Sequence, residues 1–282
     1  MGKLTTYLRR LKKGTEEENY GRHILEKWGS DFLLKQANVE KFTALDIGCG
    51  WGNDLVNIRN RYAAGNPEGP PLEMHGIEDH PIHVDYARQN GIVIHKLDVE
   101  REELPLGESS ADIVIANQIL EHTKEIFWIF EEASRVLRPG GIFIIGVPNL
   151  ASLHNRILLL LGEQPAAQRS FSAHVRAFTK PDLKFFAESG GYFRLLDFRG
   201  ANFYPFGARI SRFLAGVFPT LAWGIFFLLE RTTKEGHFLE CLETESNFLE
   251  TPFYGSPHNP AKRKKDPEKK VGEKKPRRSL RK

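Results

Sequence analysis

Three alternating glycines follow an aspartate in the run Leu45-Asp46-Ile47-Gly48-Cys49-Gly50-Trp51-Gly52. Glycine allows a tight turn and lets a ligand meet the backbone with no Cβ in the way. A dinucleotide fingerprint spaces its glycines G-x-G-x-x-G, so that a pyrophosphate meets a helix N-terminus. Here the spacing is D-x-G-x-G-x-G and position 53 is Asn. An aspartate ahead of such a turn suits a cationic ligand better than a pyrophosphate. Further carboxylates stand at Glu78, Asp79 and Asp98. Groups able to move a proton or orient a substrate come later: Asn117, His122, Asn149, His154, His174 and Arg176. Cys49 is small and reads as a packing residue within the turn.

These residues need a frame that brings them together, and the apolar pattern supplies one. Phe42–Ile47 reads as a strand feeding the glycines, and Asn53–Tyr62 as a helix leaving them. Met74–Ile77 is a second strand and Ile82–Gln89 a helix closed by Asn90-Gly91. Val93–His95 and Ala111–Ala116 are the third and fourth strands, the latter continuously apolar as a buried parallel strand should be. Ile126, Phe127, Ile129, Phe130, Ala133, Val136 and Leu137 recur at helical spacing. Arg138-Pro139-Gly140-Gly141 ends that helix, and Ile142–Val147 is a fifth strand. Strand and helix alternating in this way imply βαβ units around a parallel sheet. In such a sheet ligands bind at the carboxyl ends of the strands, where Gly48, Gly50 and Gly52 fall.

Beyond residue 150 the texture changes. Residues 171–254 hold 19 of the 31 aromatic residues. A helix is expected from Pro181 to Ser189, then strands at Phe193–Phe198 and Trp223–Glu230. Phe213–Leu229 is apolar enough to raise a membrane span, but Gly216, Pro219, Thr220 and Gly224 interrupt it, and a strand is the better reading. Residues 1–41 form an N-terminal helical or cap segment, 42–235 one α/β domain with an aromatic lid or insert near 150–220, and 236–282 an extension.

The net charge of +4 hides a partition. Ala261–Lys282 carries 12 basic and 3 acidic residues, leaving 28 basic and 33 acidic in the other 260. An acidic body with a basic tail is a weak argument for a nucleic-acid partner. The polar, Lys-rich stretch from Ser256 is expected to be disordered. Cys49 and Cys241 give neither a disulfide framework nor a metal spacing, which suits a reduced, cytoplasmic setting. Gly2 and Thr6 fit the loose myristoylation pattern, and the basic residues Arg9–Lys13 fit a helix at a membrane surface better.

Taken together, Asp46–Gly52, Gly76-Ile77-Glu78, Leu97-Asp98-Val99, Asn117–His122 and Val136–Gly141 resemble, in order, the motifs of class I S-adenosylmethionine-dependent methyltransferases of the small-molecule type. The likeness runs from about Phe42 to Glu230. It implies a Rossmann-like seven-stranded sheet, mostly parallel, with helices on both faces and the last strand antiparallel. It implies S-adenosylmethionine bound by Asp46, Gly48, Cys49, Gly50 and Gly52. Glu78, with Asp79 beside it, would hold the ribose hydroxyls; Asp98 and Val99 would meet the adenine, and Asn117 would border the cofactor. Three features depart from the pattern: Glu in place of the commoner Asp at 78, an inserted loop at Gly65–Pro71, and Asn117-Gln118 in place of small or acidic residues.

Methyl transfer from a sulfonium is an in-line displacement, and it needs a positioned nucleophile and, for some acceptors, a base. His122 and His174 are the candidate bases; Asn149, His154 and Arg176 are further pocket candidates. The expected acceptor is a small organic, lipid or quinone-like molecule, methylated directly and without a metal, with peripheral membrane contact through Ile210–Phe218 left open. Two other classes stay open: a cofactor-binding pseudoenzyme or partner subunit, and, on the tail alone, an RNA methyltransferase.

Overall fold

The computed structural model describes residues 18–165, 168 and 170–242. The expectations for Gly2, Thr6, Arg9–Lys13 and the basic tail lie outside the described residues.

Strand β1 (Phe42–Ile47) is buried along its whole length, as an apolar run of this kind must be when it is covered on both faces. The glycine turn follows it and leads into α2 (Asn53–Gly65); α1 (Arg22–Leu34) precedes it. Then come β2 (Leu72–Ile77), α3 (Pro81–Gln89), β3 (Ile92–His95) and β4 (Ala111–Asn117). A 3-10 turn, Leu120–His122, leads to α4 (Ile126–Val136) and β5 (Leu137–Pro148). The chain continues through α5 (Leu153–Leu160), α6 (Lys180–Glu188), β6 (Phe193–Ala201), α7 (Ala208–Val217) and β7 (Gly224–Arg231).

The seven strands lie in the order β3-β2-β1-β4-β5-β7-β6. The first five pair in parallel; β7 runs antiparallel between β5 and β6. The order reverses between β1 and β4, and the loops after these two strands therefore open a crevice at the carboxyl edge. Leu25 and Trp28 of α1, Leu55 and Ile58 of α2 and Ala87 of α3 share one buried cluster with Ala44, Ile113 and Ile144. The opposite face packs Ile129, Phe130 and Ala133 of α4 and Leu183 of α6 on Leu45, Val114 and Phe143.

One detail differs from the sequence reading, and two others are given their place. Arg138–Gly141 does not end a helix but opens β5, because Arg138 Nε donates to Asp112 Oδ1 (2.7 Å) while Leu137 pairs with Ala111. The inserted loop enters at the start of β2, where Leu72 pairs with Phe42, at the end of the sheet away from the glycines. The long gap therefore leaves Ile77 level with Ile47 and Glu78 at the crevice. The aromatic region divides: Phe178, Phe193, Phe226 and Phe227 are core, whereas Phe171, Phe206, Phe213 and Phe218 are exposed. Phe213–Leu229 is split between α7, a 3-10 turn and β7, and among the described residues no helix is long and apolar enough to cross a membrane.

Candidate active site

The turn after β1 is held by backbone bonds, Cys49 N–H to Ile77 O (3.0 Å) and Gly52 N–H to Cys49 O (2.8 Å). Gly48, Gly50 and Gly52 all have positive φ. A Cβ at Gly52 would stand 2.2 Å from Ile92 Cδ1, whereas one at Gly50 would meet nothing within 4 Å. Gly52 is thus favoured by its left-handed backbone, with the end of the Ile92 side chain having to shift for any Cβ there, and Gly50 faces open space in which a ligand can lie against the backbone. Cys49 Sγ fills the gap over Gly76, and burial, then the charges of Asp46 and Glu78, raises its thiol pKa. It is a packing residue and no nucleophile.

Asp46 lies level with Gly76 and Ile115 and is 2% exposed. Burial first, then the carboxylates of Asp54 and Glu78, push its pKa well above the ordinary range, while Arg22 opposes the shift. Asp54, in the first turn of α2, bonds Asn117 Nδ2 (2.8 Å) and pairs with Arg22 (3.6 Å). Asn117 Nδ2 also donates to Tyr20 O (3.0 Å), and its buried Oδ1 has no hydrogen-bond partner among the described residues. The Tyr20–Arg22 segment reaches this place because Gly21, at positive φ, packs directly on the Phe226 ring. Acidic and amide groups with one guanidinium therefore converge beside the glycines.

Glu78 begins the next loop. Its Oε1 accepts from the amides of Asp79 (3.0 Å) and His80 (2.9 Å), and its Oε2 lies 3.4 Å from His83 Nδ1. Burial alone would raise its pKa, but these donors hold it below the usual value. Glu78 thus satisfies amides at the start of α3, and one carboxylate oxygen faces the His83 side. Asp79 is exposed. Trp51 leans on His83 and Tyr86, with ring centroids 4.6 and 5.3 Å away, and walls this end of the crevice. Asp98 is exposed and organises its own turn, accepting from Glu100 N–H (3.0 Å), with Val99 half-buried beside it.

After β4, His122 and His174 come together, ring centroids 4.6 Å apart and nearly perpendicular. The strap carrying His174 is tied down by Val175 and Arg176 N–H to Glu121 O (2.8 and 3.2 Å). Arg176 spends its guanidinium on the carbonyls of Thr123 and Lys124. Asn149 is likewise committed, donating to Thr220 O and Ala222 O (both 2.9 Å) and accepting from Ala151 N–H. His154 sits apart, against Ser152 and Tyr204. Of the histidines proposed from sequence, the structure joins 122 and 174 only.

A methyltransferase-domain family model matches residues 38–180, just over half of the 282. The chain belongs to the class I S-adenosylmethionine-dependent methyltransferases. It is 33% identical over 107 residues to a probable S-adenosylmethionine-dependent methyltransferase of Mycolicibacterium smegmatis, covering 37% of each chain. It is 32% identical over 128 residues to an arsenite methyltransferase of Halobacterium salinarum, covering 40% of this chain and 30% of that one. The chain thus spans about a third of the length of these curated relatives. Among solved structures, a putative methyltransferase in complex with the Haloferax volcanii Trm112 activator superposes with TM-score 0.51 at 15% identity, over 82% of this chain and 99% of that one. This last likeness concerns the fold.

Within this methyltransferase fold, sequence reasoning missed Tyr20, Arg22, Asp54 and Glu121. Arg22 and Tyr20 lie before the recognised motifs and arrive by tertiary packing. Asp54 was hidden in an ordinary helix start, although an acid in a first turn next to a glycine loop was a usable signal. Glu121 sits inside the Leu-Glu-His run, and only its burial sets it apart: it is 2% exposed, and desolvation pushes its carboxyl up to about 7.

Proposed function

We propose that this chain transfers a methyl group from S-adenosylmethionine to a small organic acceptor by direct displacement. The observation that carries the reading is the buried Asp46 carboxylate beneath a glycine turn whose middle member, Gly50, faces open space. The donor's sulfonium makes its methyl an electrophile, and its amino-acid end carries one ammonium and one carboxylate. Asp46 and Asp54 suit the cationic groups, Arg22 the carboxylate, and the orphaned Asn117 Oδ1 a donor such as the ammonium. Glu78, with Asp79 beside it, is assigned to the ribose hydroxyls, and Asp98 with Val99 to the adenine; Trp51 covers the same end.

His122 and His174 stand on the acceptor side, beyond the β4 loop. Their imidazoles can take the acceptor's proton or hold a group that assists its loss. The arsenite methyltransferase among the relatives acts on a small molecule, and the same substrate size is proposed here. Calorimetric titration with S-adenosylhomocysteine tests the cofactor assignment. Asp46→Ala and Arg22→Ala should each weaken binding at least roughly tenfold, the loss of one charge-assisted contact, with an unchanged circular dichroism spectrum. Unaltered affinity in both variants would overturn the assignment. Labelled methyl transfer into cell extract, followed by mass spectrometry of the product, tests the activity and names the acceptor.

A further inference from the structure

Glu121, His122 and His174 each offer one ligand atom, and these three atoms all lie within 4.8 Å of one another. Glu121 is 2% exposed, and its Oε2 is buried with no hydrogen-bond partner among the described residues. A carboxylate oxygen taken from water and given no donor is costly to leave so. The two imidazoles approach edge to face rather than stacking, so their ring nitrogens can converge on one point. We propose that Glu121, His122 and His174 form a site for a divalent transition-metal ion at the acceptor end of the crevice.

The backbone holds this donor set from both sides. Glu121 O accepts from Val175 and Arg176 N–H, which fixes the His174 strap to the turn that carries the other two ligands. Arg176 adds bonds to Thr123 O and Lys124 O, and His122 N–H is bonded to Ile119 O. Ile119 in turn is the residue that a Cβ at Gly48 would meet, at 3.0 Å, which places the cluster one turn of chain from the glycine loop. Bond lengths of about 2.0–2.2 Å would bring the ligand atoms to roughly 3–3.5 Å apart, a modest side-chain rotation from the present spacing.

The chemistry of the donors selects the ion. One carboxylate and two imidazoles suit Zn2+, Co2+, Mn2+ or Fe2+, whereas Ca2+ and Mg2+ ask for oxygen ligands throughout. Three protein ligands leave coordination positions open, and His122 is exposed, so the cluster is reachable from solvent. The open positions would take an acceptor offering an oxygen or nitrogen lone pair beside the atom to be methylated. This last step rests on the proposed function; the metal site does not.

The test uses the full chain, stripped with a chelator and titrated with Zn2+ by calorimetry and with Co2+ by visible absorption. The expected result is one ion per chain, with visible Co2+ bands of imidazole–carboxylate coordination. Glu121→Gln and His174→Asn should each weaken Zn2+ binding by roughly 30-fold. His95→Gln, at the separate His75–His95 pair on the sheet, should leave binding unchanged. Failure of the folded wild-type chain to bind Zn2+, wild-type affinity in both ligand variants, or loss in His95→Gln would overturn the site. S-adenosylhomocysteine titrations of the same proteins keep the two readings distinct. Lost metal binding with intact nucleoside binding supports the site, and absent nucleoside binding in the wild type counts against the methyltransferase reading alone.

Discussion

A buried carboxylate must be either neutral or compensated, and this decides how Asp46 behaves. Desolvation and the neighbouring Asp54 and Glu78 raise its pKa, so the free protein holds a proton there to a higher pH than an ordinary aspartic acid would. A cationic ligand favours the ionised form, which means that binding must expel that proton over the interval between the two pKa values. Affinity for the sulfonium nucleoside is therefore expected to rise with pH through this interval and to level off above the free protein's pKa. Titration in buffers of different ionisation enthalpy measures the released proton directly. Asp46→Asn should bind more weakly and remove the release, and an unchanged proton count in that variant would assign the linkage to Asp54 instead.

At the scale of elements, the turn between β1 and α2 combines two demands on glycine, and substitution separates them. Gly52→Ala adds both a left-handed penalty and a collision with buried Ile92, so it should destabilise the fold by about 2–4 kcal/mol. Gly50→Ala meets no neighbour and should cost about 1–2 kcal/mol for its conformation alone. The nucleoside, however, would meet its methyl group, so binding should suffer more in Gly50→Ala than stability does. Urea unfolding and nucleoside titration of both variants check this contrast; equal stability losses would remove it. The turn was legible in sequence because every residue it needs lies within seven positions, and so was the sheet, whose strands are short apolar runs between helical repeats. Arg22 and Tyr20 were not legible. They join Asp54 and Asn117 only after Gly21 has packed on Phe226 of the seventh strand, a contact with no local signal. Glu78 was legible as an acid at a strand end, but spacing cannot tell an oxygen that binds sugar from one that accepts helix amides. The structure has Glu78 doing the second of these already.

At the scale of the whole molecule, the sheet separates two packed faces, and its free edge at β3 carries a different kind of chemistry from the crevice. His95 there stands 3.0 Å from His75 across the β2–β3 pair, level with Ile77, and its carbonyl accepts from Glu78 N–H (3.2 Å). Burial, and then the neighbouring His75, lowers the pKa of His95 below the ordinary histidine value. The unfolded chain therefore binds a proton at this residue before the folded chain does as pH falls. By linkage, the stability that neutral His95 allows is present above about pH 6.5, the unfolded value, and declines as pH falls from there through the folded pKa. His95→Gln keeps a polar group at the strand end but cannot titrate, so its stability should fall less steeply between about pH 7 and pH 5 than that of the wild type. Urea midpoints measured across this range decide the matter. Parallel curves would mean that the acid sensitivity comes from His23 and His154, whose pKa values burial also lowers, on α1 and α5. The His95 side chain faces His75, and the carbonyl that meets Glu78 is kept in the variant, so the variant should bind S-adenosylhomocysteine as the wild type does at neutral pH. A fall in affinity there would show that the His75–His95 pair holds the strand end that carries Glu78.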